Sequence, residues 1–173
     1  RILGRPSPRV ALLSIGEEDT KGNELTKEAF RLIKGSRLNF LGNIEGKDVF
    51  KGKADVVVCD GFIGNVALKL SEGLAEAILK MLKREISNVT AGKLGYLMLK
   101  PAIRNFKKRT DYDEYGGAPL LGINGASIIS HGRSSSKAIK NALKVAANYA
   151  GKKVYEDIAA AIAEDHRNRE QVA

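Results

Sequence analysis

Short apolar runs that end in glycine-containing turns alternate with helix-periodic segments along this chain. Ala54–Cys59 is a nearly continuous β-branched run, typical of a strand buried in a parallel sheet. Arg9–Ile15 and Leu38–Leu41 are shorter runs of the same kind, and apolar residues recur at helical spacing in Asn23–Lys34 and Val66–Leu82. Strands that alternate with helices predict parallel βαβ units. The chain is therefore expected to form an α/β fold with a mostly parallel sheet covered on both faces.

The remaining elements follow from the same periodicities and from turn signals. Ser134 or Ser135 is expected to cap a helix, because a hydroxyl accepts a hydrogen bond from an N–H group of the first turn. Pro101 is expected to interrupt a helical stretch, because it has no N–H group. In chain order, the pattern predicts a helical turn at 45–50, a helix to Ile86, helical residues 91–109, short strands at Leu120–Ile123 and Ser127–Ile129, and helices at Lys137–Ala150 and Tyr155–Glu170.

The chain is strongly basic, with 29 Lys and Arg residues against 20 Asp and Glu residues and a net charge of +9. Such an excess indicates an anionic partner: nucleic acid, an anionic lipid surface, a phosphorylated ligand or an acidic protein. Nucleic acid is disfavoured, because only Tyr96 and Phe106 in the most basic segment are available for base stacking, and no known binding motif occurs. The 173 residues fit a single domain. A start at Arg1 rather than methionine predicts a fragment of a longer chain.

Cys59 is the single cysteine, which excludes an internal disulfide. It ends a predicted strand and has no histidine nearby in sequence. A small buried core residue is therefore favoured over a nucleophile. His166 lies between charged residues of the last predicted helix and is expected at the surface.

Ligands of parallel α/β proteins bind beyond the carboxyl ends of the strands, which directs attention to the loop Gly16–Glu24. Glu17, Glu18 and Asp19 are either ligands of a cation or solvated charges. The second interpretation is favoured, since a hard cation needs more converging oxygens than one loop supplies. Lys21 precedes the predicted N-terminus of a helix, where an ammonium group and free backbone N–H groups can hold an anion together.

The second such segment, Asp60–Asn65, joins a predicted strand to a predicted long helix. Gly61 and Gly64 allow a sharp turn and a close approach of the backbone to a ligand. Asn65 either caps the helix or donates its amide N–H to an oxyanion that develops during acyl transfer. The segment lacks the phosphate-loop and dinucleotide-binding patterns, so no nucleotide cofactor is predicted.

The third segment, His131–Ser136, places a run of hydroxyls at the start of a helix. With His131 and Arg133 beside these hydroxyls, the segment either holds a phosphate or is a well-capped helix with a satisfied histidine.

Residues 86–110 combine apolar and basic side chains and include no acidic residue. Such interleaving is typical of a segment that lies on an anionic membrane surface. An acidic protein partner, a dimer mate, or a core helix with a solvated basic face are the alternatives. The positive charges are Lys93, Lys100, Arg104, Lys107, Lys108 and Arg109.

Four separated motifs, in order along the chain, resemble the bacterial phosphate acyltransferases of phospholipid synthesis (the PlsX family). They are Lys21–Lys27, Ala54–Val66, Tyr115–Ala118 and His131–Gly132. This family transfers a fatty acyl group from acyl carrier protein to inorganic phosphate. Its members are longer, so residues 1–173 are expected to be a single α/β region from the C-terminal part of such an enzyme.

The resemblance implies a three-layer α/β/α sandwich, similar to isocitrate and isopropylmalate dehydrogenases, and a homodimer. It implies that Lys21 and Asn65 are the catalytic pair and that neither a metal nor a cofactor is needed. It also implies that residues 87–110 form a protruding helical hairpin that contacts the membrane or the carrier protein. The expected contact residues there are Leu97, Met98, Leu99, Lys100, Arg104, Lys107 and Lys108, and the expected phosphate-binding residues are Asn23, Gly61, Gly64, His131, Gly132 and Ser134.

The expected partners are acyl carrier protein, inorganic phosphate and the anionic inner face of the cell membrane, with a cytoplasmic location. Two alternatives remain open at this point. The first is that the chain is part of a phosphate acetyl- or butyryltransferase that uses coenzyme A. The second is that it is a non-catalytic fragment that binds anionic surfaces.

Overall fold

A computed structural model describes residues 4–89 and 92–170. Contacts between Cα atoms divide the chain into two compact units, Arg1–Val66 and Ala67–Ala173. The elements, in chain order, are β1 (Val10–Leu13), α1 (Glu24–Lys34), β2 (Phe40–Ile44), a 3₁₀ turn (Gly46–Lys51), β3 (Val56–Val58), α2 (Gly61–Asn88), α3 (Gly92–Thr110), a second 3₁₀ turn (Tyr112–Glu114), β4 (Ala118–Pro119), β5 (Ile128–Ile129), α4 (Ser136–Gly151) and α5 (Val154–Glu170).

The first unit is built on a parallel three-stranded sheet with the order β2-β1-β3. The central strand β1 is almost entirely buried through Val10, Ala11 and Leu12. α1 contributes the buried Phe30, whose ring meets Phe40 of β2 edge to face at 5.2 Å between ring centroids. These apolar contacts give the unit its core. The predicted α/β class with parallel strands is confirmed.

An ion pair joins β1 to β3 ahead of both strands. The Arg9 guanidinium donates to both carboxylate oxygens of Asp55, and the Arg9 backbone N–H donates to Asp55 Oδ2 at 2.9 Å. These hydrogen bonds lower the pKa of Asp55 to about 2. Because Arg9 precedes Val10 and Asp55 precedes Val56, the pair reinforces the register in which Val10 lies opposite Val56.

β2 runs from Phe40 to Ile44, so the predicted strand Leu38–Leu41 is wrong in its bounds: Gly42, which follows that run, does not end the strand. Gly42 has a φ of +98°, and the register along β1 shifts between Val10 and Leu12. An extra residue with left-handed backbone is typical of a β-bulge, which bends a strand without ending it. The bulge places Asn43 opposite Leu12.

The second unit has α4 at its centre, with Ala138, Ala142 and Tyr149 buried. Ser135 caps α4 by accepting a hydrogen bond from the Ala138 N–H at 3.2 Å. The predicted capping by Ser134 or Ser135 is therefore confirmed at Ser135. α4 and α5 lie within a residue of their predicted bounds.

Two other expectations for this unit are wrong. α3 continues through Pro101 as one helix, although a proline inside a helix removes one N–H group and crowds the carbonyl one turn earlier. The strand predicted at Leu120–Ile123 lies in turns, and the antiparallel partner of β5 is Ala118–Pro119. Gly122 and Gly125 adopt φ values of +84° and +148°, which favour a turn over a strand.

Cys59 is exposed, so its expected place in the core is wrong. β3 ends at Val58, and Cys59 lies beyond the buried part of the sheet. In the described part of the chain, every helix is too short or too polar to span a lipid bilayer.

Candidate active site

Lys21 lies in the loop that connects β1, the centre of the three-stranded sheet, to α1. The loop turns at Gly22, whose φ of +111° favours glycine. A Cβ atom at Gly22 would collide with Thr26 Oγ1. Asn23 then caps α1, since its Oδ1 accepts a hydrogen bond from the Thr26 N–H at 2.9 Å. The carbonyl oxygen of the Asn23 side chain is therefore committed to the helix, whereas its role toward phosphate stays a prediction.

The Lys21 side chain is exposed, and its ammonium group makes no hydrogen bond or ion pair within residues 4–89 and 92–170. Its stem packs over Gly16, where a Cβ atom would lie 2.9 Å from Lys21 Cγ. Two of the three nearby carboxylates are paired with other lysines, Glu17 with Lys53 at 2.9 Å and Asp19 with Lys34 at 2.7 Å, and no ion pair joins Glu18 to Lys21 within the described residues. The Lys21 ammonium therefore remains available to an anionic ligand.

The carboxylates of this loop diverge. Glu17 extends toward Lys53 ahead of β3, and Asp19 toward Lys34 at the end of α1. Among the described residues, no group of three or more His, Cys, Asp or Glu side chains is placed to hold a metal ion. Ion pairs with lysines thus account for two of the three carboxylates.

The connection between β3 and α2 is shorter than predicted, because α2 already begins at Gly61. Asp60 caps this helix: its Oδ1 accepts hydrogen bonds from the N–H groups of Phe62 and Ile63, both at 2.9 Å. The alternative in which Asn65 caps the helix is therefore wrong. Asp60 occupies the capping position, and Asn65 is the fifth residue of α2.

Asn65 is exposed, and its carboxamide makes no hydrogen bond within the two described ranges of the chain. Side chains of an α-helix lean toward the helix N-terminus. The Asn65 amide therefore leans back over the first turn of α2, toward the edge at which β3 ends. An unpaired amide donor is thus available at that edge.

Lys21 and Asn65 follow adjacent parallel strands. Leu12 of β1 lies opposite Val58 of β3, so both strands deliver their carboxyl ends to one edge of the sheet. Both residues belong to the unit Arg1–Val66. The structure therefore brings the two predicted catalytic residues to neighbouring connections at one sheet edge.

Gly61 and Gly64 differ in how closely they are surrounded. A Cβ atom at Gly64 would come within 3.0 Å of Cys59 Sγ, whereas nothing lies within 4 Å of one at Gly61. The Asp60 carboxylate already occupies the place that an anion would take against two N–H groups of α2. A phosphate at this helix would have to be held by Gly61 or by side chains, and the binding roles of both glycines stay predictions.

The His131 segment belongs to the other unit, Ala67–Ala173. His131 Nδ1 accepts from the Arg133 N–H at 3.2 Å, and the Ser134 hydroxyl donates to the His131 carbonyl at 2.6 Å. The Ser135 hydroxyl donates to Asp113 Oδ2 at 2.6 Å. These contacts form a compact turn ahead of α4. The phosphate-binding roles of His131, Gly132 and Ser134 remain predictions.

Sequence patterns did not single out two buried polar residues beside the Lys21 loop. Asn43 of β2 is 6% exposed, and its Nδ2 donates to the Glu18 carbonyl at 2.8 Å. Asp48 is 1% exposed, and its Oδ1 lies 3.0 Å from both Lys51 Nζ and Lys53 Nζ. Hydrogen bonds from these two ammonium groups lower the pKa of Asp48 to about 2. The available signal was a polar asparagine inside the apolar run Phe40–Ile44.

The predicted contact residues of α3 are all exposed, as expected of a surface that meets a partner. Leu97 and Met98 have exposed fractions of 62% and 78%. A groove of about 780 Å³ separates α3 from α2 within the same unit, with Leu79, Leu82 and Ile103 among its lining residues. Lysines border the groove, and Lys100 and Lys107 lie around the exposed Leu97 of α3.

Comparison with known proteins decides the family. Residues 1–157 match the family described as "Fatty acid synthesis protein". The chain belongs to this family. Relatives named phosphate acyltransferase include those of Thermodesulfovibrio yellowstonii, Trichlorobacter lovleyi and Pelotomaculum thermopropionicum, with identities of 68%, 56% and 55%.

These alignments cover 91%, 95% and 94% of this chain, but only 46%, 48% and 47% of the respective relatives. The chain therefore spans about half the length of the curated fatty acid synthesis family members that it matches. Lys21, Asn65 and the motifs around them lie within the matched residues.

Proposed function

We propose that the protein containing this chain is an acyltransferase that moves a fatty acyl group from acyl carrier protein to inorganic phosphate. The product is an acyl phosphate for phospholipid synthesis. The observation that carries the proposal is the pair of unpaired donors, Lys21 and Asn65, after adjacent strands of one sheet. The class of reaction, acyl transfer to phosphate, is supported by relatives of 55% to 68% identity that are named phosphate acyltransferase.

The proposed reaction is a direct transfer without an acyl-enzyme. A phosphate oxygen attacks the thioester carbonyl carbon, the carbon–sulfur bond breaks, and the thiolate leaves. Phosphate is an adequate nucleophile near neutral pH, so the protein mainly aligns the reactants and stabilises charge. The Lys21 ammonium would neutralise phosphate or the developing oxyanion and donate a proton to the departing sulfur, and the Asn65 amide would donate to the oxyanion.

Six further residues are proposed to contact phosphate: Asn23, Gly61, Gly64, His131, Gly132 and Ser134. Glycine allows close backbone approach, and histidine and asparagine side chains supply donors. The Ser134 hydroxyl would donate to phosphate in place of the His131 carbonyl, to which it now donates. The chemistry requires neither a metal nor a cofactor. We further propose that the complete protein forms the three-layer α/β/α sandwich of the isocitrate and isopropylmalate dehydrogenases.

The acyl donor is tested by incubating the purified protein with phosphate and either an acyl carrier protein thioester or a coenzyme A thioester. We expect phosphate-dependent acyl phosphate from the carrier-protein thioester. A product formed from the coenzyme A thioester alone would instead identify a phosphate acetyl- or butyryltransferase. No acyl phosphate from either donor would contradict an enzymatic function and favour a non-catalytic binder of anionic surfaces.

α3 is proposed to lie on the anionic inner face of the cell membrane, where it would keep the otherwise cytoplasmic enzyme close to its lipid products. Leu97, Met98 and Leu99 are exposed beside Lys100 and Arg104, and this combination suits the boundary between lipid headgroups and acyl chains. Acyl carrier protein is the alternative partner of this basic surface.

Replacing Lys100, Arg104 and Lys108 together by glutamine should weaken binding to vesicles that contain anionic lipid. Each basic residue near such a surface contributes about 1 kcal/mol, so affinity should fall by on the order of 10²-fold. Vesicle flotation measures the effect. The matched control replaces Lys140, Lys144 and Lys152, three exposed lysines of α4 or its C-cap, by glutamine. Equal losses in both triple variants would contradict a specific role of α3.

The protein is also proposed to be a homodimer. α2 has a long apolar stripe, and none of its residues within the described chain is buried. A helix with such a stripe is stabilised by packing against another surface. The exposed stripe residues are Val66, Leu70, Leu74, Ile78, Met81 and Leu82.

A further inference from the structure

Three consecutive residues ahead of Lys21 are each held by a different part of the first unit. The Glu17 side chain pairs with Lys53 and the Asp19 side chain with Lys34. The Glu18 carbonyl, between them, accepts the Asn43 side-chain N–H at 2.8 Å. Three contacts therefore hold the loop, namely two ion pairs and one hydrogen bond from a buried side chain. The Lys21 ammonium takes part in none of them.

These anchors are unequal in strength. Both ion pairs join side chains that are about half exposed or more, and solvent-exposed ion pairs contribute little to stability. Asn43 is nearly fully buried, so water cannot replace its hydrogen bond to the loop. Asn43 is therefore the anchor whose loss would change the loop most.

The hydrogen bond of Asn43 bears directly on Lys21. The Glu18 carbonyl that accepts Asn43 Nδ2 also accepts the backbone N–H of Lys21, at 3.0 Å. One oxygen thus joins the buried side chain to the backbone of the proposed catalytic lysine. The bulge at Gly42 places Asn43 opposite Leu12 of β1, and bulges commonly redirect a side chain in this way.

Asn43 is also a poor choice for stability alone. Asparagine is depleted in strands, and the Oδ1 atom of Asn43 is buried without a hydrogen-bond partner in the described structure. An unsatisfied buried acceptor destabilises the fold, and an apolar residue here would avoid that loss. Within residues 4–89 and 92–170, the side-chain contact that compensates for this loss is the hydrogen bond from Nδ2 to the Glu18 carbonyl of the Lys21 loop.

We propose that Asn43 is a positioning residue that fixes the loop of Lys21 for the transfer step. The inference rests on the proposed function for its effect on activity, but its structural content is independent of it. Without the Asn43 amide, the turn Glu18–Lys21 loses its buried anchor and the ammonium group samples more positions. Misplacing a catalytic group by a small distance lowers the rate strongly.

The test combines kinetics with native-state hydrogen exchange on the protein that contains this chain. Asn43→Ala should lower kcat by roughly 10-fold and should have no further effect on a Lys21→Ala background. It should also accelerate amide exchange in peptide 16–22 by roughly 10-fold or more. Asn39→Ala is the matched control, because Asn39 donates to the Ser7 carbonyl ahead of β2 and is exposed. It should change neither quantity.

Two outcomes would overturn the positioning role. One is unchanged exchange in peptide 16–22, and the other is a loss of kcat that is equally large with and without Lys21. Asn43→Thr, which keeps a donor and a strand-compatible side chain, replaces the alanine variant if that variant does not fold, with the same two criteria. If Lys21→Ala alone retains normal activity, the proposed catalytic pair fails, and exchange in peptide 16–22 still decides whether Asn43 holds the loop.

Discussion

Lys21→Ala should lower the rate of acyl-phosphate formation by on the order of 10²-fold or more, the range for loss of a group that stabilises a developing oxyanion. The ammonium is unpaired in the described structure, so its removal deprives the site of charge without breaking a hydrogen bond or an ion pair. Steady-state rates of acyl-phosphate formation measure the effect. Lys27→Ala is the control, because Lys27 is also an exposed lysine near the start of α1.

The same loss is expected for the second member of the pair. Asn65→Ala removes the amide donor, and Asn65→Asp replaces it with an acceptor of the same size. A carboxylate near the N-terminus of α2 is favourable to the helix, so Asn65→Asp should remain folded and still lose activity on the order of 10²-fold. Near-normal turnover in the Lys21 and Asn65 variants would refute their catalytic roles.

Gly116→Ala should destabilise the unit Ala67–Ala173 severely. Gly116 has a φ of +77°, and a Cβ atom there would lie 2.6 Å from Asn141 C and 2.7 Å from Ala138 O, and would collide with Ala142 N. These atoms belong to the α4 backbone, which cannot move aside as a flexible side chain would. Backbone strain and overpacking together should lower the free energy of unfolding by on the order of 3–5 kcal/mol.

Gly122→Ala separates the two contributions. Gly122 has a similar φ of +84°, but nothing lies within 4 Å of a Cβ atom there. This control should lose only about 1–2 kcal/mol, from backbone strain alone. Urea unfolding of both variants measures the difference. Equal losses would show that Gly116 does not contact α4 as the structure describes.

A large loss of stability in Gly116→Ala would also give a physical role to the motif Tyr115–Ala118, for which the family resemblance supplied none. Tyr115–Ala118 resembles a family motif, but Gly116 lies against α4 and Gly117 against Ile129 and Ser130. The Ser130 hydroxyl donates to the Gly116 carbonyl at 3.0 Å. This motif therefore packs the second unit together, whereas Lys21 and Asn65 belong to the first.

Local periodicity was enough to predict the helices α1, α4 and α5 and the strands β1 and β3. Their signals lie within each segment, as in the serine cap that is predicted ahead of α4 and is found at Ser135. Local periodicity failed to predict the bounds of β2, which depend on pairing with a strand distant in sequence. Gly42 bends β2 instead of ending it because β1 pairs on both sides of the bulge. At α2 the missed signal was local: the helix begins at Gly61, so the adjacent Asp60, rather than Asn65, occupies the capping position.

The amino-acid sequence by itself determined that Lys21 and Asn65 each follow a strand and stand near the start of a helix, because those features depend on neighbours in the chain. Only the tertiary structure decided that the two strands are adjacent, with Leu12 opposite Val58. It alone also decided that Asn43 reaches the loop of Lys21. Strand pairing and side-chain burial join residues far apart in sequence, and no local pattern specifies which of them meet.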